Sequence, residues 1–166
     1  MSTEPGLGDI GLVPIPGDVG WLISLGERLN GDAFAHYDHA FVVTGSNQIV
    51  EAEPGGARFA ALSEYDPESV LWLRCPDGRR QAVAEAAKGL LNSPYSAADY
   101  FAIALHRFHV PAPGLRRYIQ SSGHLICSAL CDRAARDGGW TLFSDGRWEG
   151  YVTPADLAEL AAKQAE

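Results

Sequence analysis

Two short apolar runs separated by a turn-forming tetrapeptide constrain the fold of this chain more than any other feature. The first run covers residues 38–43, the second covers residues 48–52, and Thr44-Gly45-Ser46-Asn47 joins them. Runs of this length, rich in β-branched residues and bounded by Gly, Ser and Asn, are typical of a β-hairpin. We therefore predict two antiparallel strands, with His39 on the first and Glu51 on the second.

The connecting loop decides whether these two side chains lie on one face of the hairpin. Alternate residues of a strand share a face, so His39 lies with Phe41 and Glu51 lies with Ile49. A loop with an odd number of residues, such as residues 45–47, would place His39 and Glu51 on one face, opposite or diagonal to each other. An even loop would place them on opposite faces. Three-residue loops that contain Gly are common, so we predict a shared face.

The rest of the chain places strands early and helices late, which predicts an α+β fold with an antiparallel sheet. A length of 166 residues with 46% hydrophobic content suits a single domain over residues 1–166. Further strands are predicted at about residues 8–13 and 69–74. Helices are predicted at about residues 18–29, 79–91, 96–109 and 126–136, and a last helix begins at Thr153-Pro154, an N-cap followed by an N1 proline.

The formal net charge of −8 argues against two kinds of partner. Nucleic acids and anionic membranes both need clustered Lys and Arg, so we expect no nucleic-acid partner and no stable membrane anchoring. Residues 1–5 are polar and acidic, and the first apolar stretch, residues 10–15, is short and ends among prolines. We therefore expect no export signal and no transmembrane span, and a cytoplasmic location. The oligomeric state stays open.

Three cysteines, Cys75, Cys127 and Cys131, form neither a disulfide pattern nor a zinc pattern. Their number is odd, and Cys127 and Cys131 lie one helical turn apart. Thiols stay reduced in the cytoplasm, so a special role for one of them would be catalytic rather than cross-linking. The ordinary alternative is that each is a small buried apolar residue.

Cys127 is the stronger candidate nucleophile because it lies at the predicted beginning of a helix. There, unpaired backbone N–H groups and the positive end of the helix dipole favour a thiolate. Cys131 lies one turn further along and is expected in the core. Backbone N–H groups around Cys127 and Ser128 are natural donors to an oxyanion, which makes Ser128 a candidate substrate-binding residue. With His39 as base and Glu51 as the acid that orients it, the chain offers a complete thiol-hydrolase site.

The other histidines offer alternatives. His36 and His39 are three residues apart, as are His106 and His109, and a zinc site could be drawn from either pair with a carboxylate. His36 would face away from His39 on a strand and no third ligand is obvious, so we expect no metal and no cofactor. His106 and His109 end a predicted helix, where a cation suits the dipole. His124 precedes the cysteine helix and is the main rival to His39 as base, as well as a candidate substrate-binding residue.

The order of motifs resembles a known family. It runs from GDIGLV through a helix to YDHAFVVTG, QIVEAEPGG and LLNSPYS, and then to ICSALCDRA and VTPADLA. This order is similar to the permuted papain-fold cysteine hydrolases of the NlpC superfamily, in which the histidine precedes the cysteine, as in the YiiX/YebB-like proteins and, more distantly, lecithin:retinol acyltransferase. The resemblance covers about residues 7–157.

The resemblance implies a central antiparallel sheet packed against the helix that the catalytic cysteine opens. It implies Cys127 as nucleophile, His39 as base and Glu51 as the third polar member. Tyr37 falls at a position that is often Tyr in the family, which makes it a candidate substrate-binding residue.

We therefore expect a cysteine amidase or peptidase that works through a thioacyl-enzyme, with a peptide or a peptidoglycan-like small substrate. Two alternatives stay open. The same triad could transfer an acyl group or hydrolyse an ester or thioester of a lipid, or the domain could be a non-catalytic scaffold or virion component that keeps the fold.

Overall fold

A computed structural model of the protein describes residues 4–14, 37–53, 56–93, 126–147 and 152–166. These residues form a five-stranded sheet in which every pairing is antiparallel, together with three α-helices. The predicted α+β class and antiparallel sheet are therefore confirmed. The strands are β1 (Ile10–Val13), β2 (His39–Gly45), β3 (Gln48–Glu53), β4 (Gly56–Ala60) and β5 (Leu71–Leu73), in the order β4-β3-β2-β1-β5. The helices are α1 (Arg80–Gly89), α2 (Cys127–Asp137) and α3 (Pro154–Ala165).

The hairpin of β2 and β3 differs from the prediction in its turn. The predicted three-residue loop is wrong, because Gly45 pairs with Gln48 and only the two residues 46–47 lie between them. A turn of two residues alone would place His39 and Glu51 on opposite faces. A bulge between Val43 and Gly45 adds one residue to β2 and reverses that outcome.

The register that follows from the bulge is unambiguous. Phe41 pairs with Glu51, so His39, two residues earlier on β2, lies diagonal to Glu51 on the same face. The residue in the bulge, Thr44, is held in place by its own side chain, whose hydroxyl lies 3.2 Å from the side-chain oxygen of Gln48. The prediction that His39 and Glu51 share a face is confirmed, but a β-bulge produces it and not a three-residue loop.

Strand β4 was not predicted. Its sequence, Gly56-Ala-Arg-Phe-Ala60, contains one residue of high β propensity, and it forms an edge of the sheet where burial is incomplete. Strand β5 and helix α1 are each shorter than predicted, whereas α3 has the predicted Thr153 cap, closed by a reciprocal bond with Asp156. The helices predicted at residues 18–29 and 96–109 lie outside the described residues.

One face of the sheet packs against all three helices. Alternate strand residues such as Leu12, Val42 and Val50 point into this main core. The helices contribute one stripe each, with residues spaced three and four apart, as an amphipathic helix requires. These residues are Val83 and Ala87 from α1, Leu130, Cys131 and Ala134 from α2, and Leu157, Ala158 and Ala161 from α3.

The opposite face carries a smaller cluster centred on Phe41, which is fully buried. Gly11 of β1 pairs with Phe41 on one side and with Trp72 on the other. A Cβ atom on Gly11 would lie 2.3 Å from Cε2 of Phe41, so only glycine leaves room for the ring. The Phe41 ring in turn stacks on Tyr65, with centroids 4.9 Å apart and planes inclined by 20°. His39 and Glu51 lie on this aromatic face.

A buried carboxylate just before β1 joins the sheet to helix α1. Asp9 is fully buried, and its two oxygens accept hydrogen bonds from Arg74 at 2.9 Å, Arg80 at 2.7 Å and the backbone N–H of Cys75 at 2.9 Å. Burying a carboxylate is unfavourable unless it is paired, and here two guanidinium groups compensate it.

None of the helices in the described ranges is long and apolar enough to cross a membrane.

Candidate active site

His39 is the first residue of β2 and lies at the centre of the candidate site. Only 4% of its surface is exposed. Its Nε2 atom lies 2.9 Å from Oε2 of Glu51, and the ring also forms a hydrogen bond with the Cys127 side chain. Because Nε2 is engaged by the carboxylate, Nδ1 is the nitrogen left for the thiol. The structure therefore brings together all three residues predicted as nucleophile, base and orienting acid.

Glu51 lies in the middle of β3 and is completely buried. Its Oε2 atom accepts a hydrogen bond from the Tyr65 hydroxyl at 2.6 Å in addition to the contact with His39. Its other oxygen, Oε1, accepts a hydrogen bond from Nη2 of Arg58 at 2.7 Å. The two oxygens of Glu51 thus have three donors between them. An ionised carboxylate can accept all three bonds, whereas a protonated one would have to donate at one of these positions.

Cys127 is the first residue of α2, as predicted, and is 1% exposed. The helix begins after Ile126, whose backbone is extended and whose apolar side chain provides no cap. The first intrahelical bond at this end is donated by the N–H of Leu130 to the carbonyl of Ile126 at 2.9 Å. Helix α2 packs against β2 and β3, and Cys127 in its first turn contacts His39, the first residue of β2.

The electrostatics of the three residues are coupled. Burial alone would lower the pKa of His39, but the hydrogen bonds with Cys127 and Glu51, and their negative charge, outweigh it and raise that pKa to about 10. Burial alone would raise the pKa of Glu51, but the hydrogen bonds from His39 and Tyr65 and the charge of Arg58 lower it. At neutral pH the site therefore holds an imidazolium ring beside an ionised carboxylate.

The other two thiols lie in different surroundings. Burial is the main reason why the pKa of Cys131 is raised well above its ordinary value, and the residue is fully buried in the main core. Burial and the charge of Asp9 raise the pKa of Cys75 to about 11. Both thiols are kept neutral at pH 7, whereas Cys127 forms a hydrogen bond with the His39 ring.

The three residues predicted to bind substrate are Ser128, Tyr37 and His124, of which the structure describes the first two. The Ser128 hydroxyl is fully buried and donates to the carbonyl of Val152 at 2.6 Å, so its side chain ties α2 to the segment before α3. Only the backbone N–H of Ser128 is left for an oxyanion. Tyr37 directly precedes the β2 region and packs, half-buried, against the main core. His124, the rival base, lies outside the described residues, as do His36, His106 and His109.

Two residues of the site were missed by sequence reasoning. Arg58 belongs to β4 and pairs directly opposite Glu51, a cross-strand charge pair that would have been visible had the strand been predicted. Tyr65 follows a short 3₁₀ turn, Leu62–Glu64, and reaches Glu51 from outside the sheet. No local pattern in the sequence signals that contact, because it joins residues that are 14 positions apart through the packing of an irregular segment.

Within the described parts of the chain, no cluster of three or more His, Cys, Asp or Glu side chains could hold a metal ion. No protein-family model matches the chain. A comparison with curated proteins likewise finds no significant sequence match.

The geometry of the site provides the parts that acyl transfer needs. It has a thiol beside a charged imidazole, a buried carboxylate that fixes the far side of the ring, and a helix N-terminus next to the thiol. A thiol in this position can attack a carbonyl carbon, and backbone N–H groups of the first turn of α2 can stabilise the oxyanion.

Proposed function

We propose that the protein is a cysteine hydrolase of the amidase or peptidase type, with Cys127 as nucleophile, His39 as general base and acid, and Glu51 as the residue that orients His39. The observation that carries the proposal is the single chain of hydrogen bonds from Cys127 through His39 to Glu51, with the carboxylate on Nε2 at 2.9 Å. This is the division of roles that an activated nucleophile requires.

In the proposed reaction the Cys127 sulfur attacks the substrate carbonyl carbon and forms a C–S bond. The carbonyl oxygen becomes an oxyanion, for which backbone N–H groups of Cys127 and Ser128 are the natural donors. As the C–N bond breaks, the imidazolium of His39 gives its proton to the leaving amine. Water then attacks the thioester and His39 takes a proton from it; the C–S bond breaks, the acid product leaves, and the imidazolium of His39 and the thiolate of Cys127 are restored.

We also propose the finer fold assignment, a permuted papain-like fold of the NlpC superfamily. Its support is the chain order of histidine, carboxylate and cysteine, and the antiparallel sheet against which the cysteine-bearing helix packs. An amide in a peptide or a peptidoglycan-like stem is the substrate that this assignment favours. The cytoplasmic location stays a prediction that cell fractionation can test.

The proposal is tested by trapping the acyl-enzyme site. We would incubate the protein with a peptidyl acyloxymethyl ketone, and separately with a fatty-acyl analogue of the same electrophile, and locate the adduct by peptide mass spectrometry. We expect the peptidyl reagent to modify Cys127 and the adduct to be lost in His39→Gln. Cys75→Ser, which removes a thiol with no cationic partner in the triad, is the matched control and should leave labelling intact.

The two reagents also separate the alternatives. Preferential labelling by the fatty-acyl reagent would replace the amidase proposal with an acyltransferase or thioesterase that uses the same triad. No labelling of Cys127 by either reagent, with the protein folded, would leave the non-catalytic scaffold as the better account.

A further inference from the structure

The Glu51 carboxylate has two partners that the triad does not include. Its Oε2 atom is shared between His39 and the Tyr65 hydroxyl, which lies closer, at 2.6 Å against 2.9 Å. Its Oε1 atom is taken by Arg58 at 2.7 Å. A carboxylate held at both oxygens cannot rotate about its terminal bond without breaking a charge-assisted hydrogen bond.

We propose that Tyr65 and Arg58 are positioning residues that keep Glu51 ionised and aligned with His39, and that they thereby set the acid limit of the pH range in which Cys127 is reactive. This inference rests on the proposed function, because it concerns the same site. Neither residue touches the reacting atoms, so both act through Glu51.

Tyr65 is held in place by the sheet. Its ring stacks on Phe41, which is fully buried, and its centroid lies 6.1 Å from that of the His39 ring. Burial and the bond to Glu51 raise the pKa of its hydroxyl, so Tyr65 remains a donor throughout the physiological range. A phenol that is fixed by stacking and cannot ionise gives Oε2 of Glu51 a permanent donor.

Arg58 connects the buried carboxylate to the surface. Its side chain is 46% exposed, and the same Nη2 atom that binds Glu51 lies 3.1 Å from Glu53 and 3.9 Å from Glu64. The charged and titratable groups around Glu51, among the described residues, are thus His39 on β2, Arg58 on β4 and Tyr65 after the 3₁₀ turn. Glu53 and Glu64 act on it through Arg58, and Cys127 acts on it through His39.

The direction of the pH effect follows from these contacts. Donors and positive charge lower the pKa of Glu51, so removal of either partner raises it. The carboxylate then takes up a proton at a higher pH and ceases to stabilise the imidazolium of His39. Loss of the cation weakens the stabilisation of the Cys127 thiolate. The pH below which the reaction rate of Cys127 falls should therefore move upward, towards neutral pH; we call this part of the pH profile the acid limb.

The test measures the rate of carbamidomethylation of Cys127 by iodoacetamide between about pH 3 and pH 9, by peptide mass spectrometry. Tyr65→Phe keeps the ring on Phe41 and removes only the hydroxyl. We expect it to move the midpoint of the acid limb upward by about one pH unit, which is a tenfold change in the proton affinity of the coupled site. Arg58→Gln should move the midpoint in the same direction. Arg58→Lys, which keeps the positive charge, should bring the midpoint part of the way back towards the wild-type value.

The matched control is Arg133→Gln, since Arg133 is 43% exposed and pairs with Asp137 at the far end of α2. It should leave the profile in place. A purely structural effect of Tyr65 would lower the protein's stability without moving the midpoint. In the Glu51→Gln background, Tyr65→Phe should cause no further shift, because the group through which Tyr65 acts has lost its charge.

A second readout does not depend on the thiol. The ¹³C resonance of the Glu51 carboxyl should titrate at a higher pH in Tyr65→Phe than in the wild-type protein. An unchanged midpoint in both measurements, with a wild-type Cys127 that reacts faster than Cys75 and Cys131, would overturn this inference and leave the proposed hydrolase standing. A wild-type Cys127 that is no more reactive than the other two thiols would overturn both.

Discussion

The contact between Gly11 and Phe41 links the fold to the site, and Gly11→Ala is the substitution that tests it. The new methyl group would lie 2.3 Å and 2.4 Å from two atoms of the Phe41 ring and 3.0 Å from Trp72. Phe41 is fully buried and stacked on Tyr65, so the ring has no free space to move into without displacing its neighbours. Phe41 would have to shift, and with it Tyr65, whose hydroxyl positions Glu51.

The size of the effect follows from two opposing terms. Alanine restricts the unfolded chain and by itself would stabilise the protein by roughly 0.5–1 kcal/mol. Overpacking of a closed core costs about 1–3 kcal/mol, and contacts this short against a buried ring belong at the upper end. We therefore expect a net loss of about 2 kcal/mol, which lowers Tm by roughly 4–8 °C for a chain of this length.

Thermal denaturation followed by circular dichroism measures the loss, and alkylation of Cys127 reports whether the site has moved. Gly89→Ala is the matched control, because nothing lies within 4 Å of a Cβ atom placed at Gly89 at the end of α1. It should be neutral or slightly stabilising. A Gly11→Ala protein with the Tm and the thiol reactivity of the wild type would refute the reasoning.

Further predictions concern the buried polar groups. Asp9→Asn removes the charge that compensates Arg74 and Arg80, and should lower the free energy of unfolding in urea by about 3 kcal/mol; a loss below about 1 kcal/mol would mean that the pairing contributes little. Ser128→Ala leaves the carbonyl of Val152 without its donor and should cost about 1–2 kcal/mol in the same assay, whereas no change would show that this bond does not stabilise the fold. Because the pKa of Glu51 is lowered by folding, its ionised form stabilises the protein above the ordinary carboxyl pKa, and that contribution is lost as the pH falls through the lowered value. The difference in unfolding free energy between wild type and Glu51→Gln should therefore shrink on acidification from pH 7 to about pH 3, and a difference that grows would contradict the coupling.

Much of the fold was predictable because it depends on local patterns. The hairpin, the antiparallel sheet and the helix opened by Cys127 follow from apolar periodicity and turn chemistry. The start of α3 follows from its predicted N-cap, Thr153, and N1 proline, Pro154, and the structure adds a reciprocal bond between Thr153 and Asp156. Local rules also separate Cys127 from Cys131 by their positions along one helix.

The rest depends on contacts that the local sequence does not encode. The bulge at Thr44 restores the shared face of His39 and Glu51, although the turn itself has an even number of residues. A bulge is a property of the pairing between two strands, so a rule based on loop length cannot anticipate it. Tyr65 and Arg58 were missed for a related reason, because one reaches Glu51 from an irregular segment and the other from a strand with weak propensity.

The central claim is that His39 activates Cys127, and the rate of carbamidomethylation at about pH 6 tests it most directly, because an ordinary thiol is almost entirely protonated there. We would compare the rates at Cys127, Cys75 and Cys131 in the wild-type protein and in His39→Gln. The account predicts that Cys127 reacts at least about tenfold faster than the other two in the wild type, and that His39→Gln abolishes the difference. Equal rates at the three cysteines of the folded wild-type protein, or a fast Cys127 that persists without His39, would contradict it.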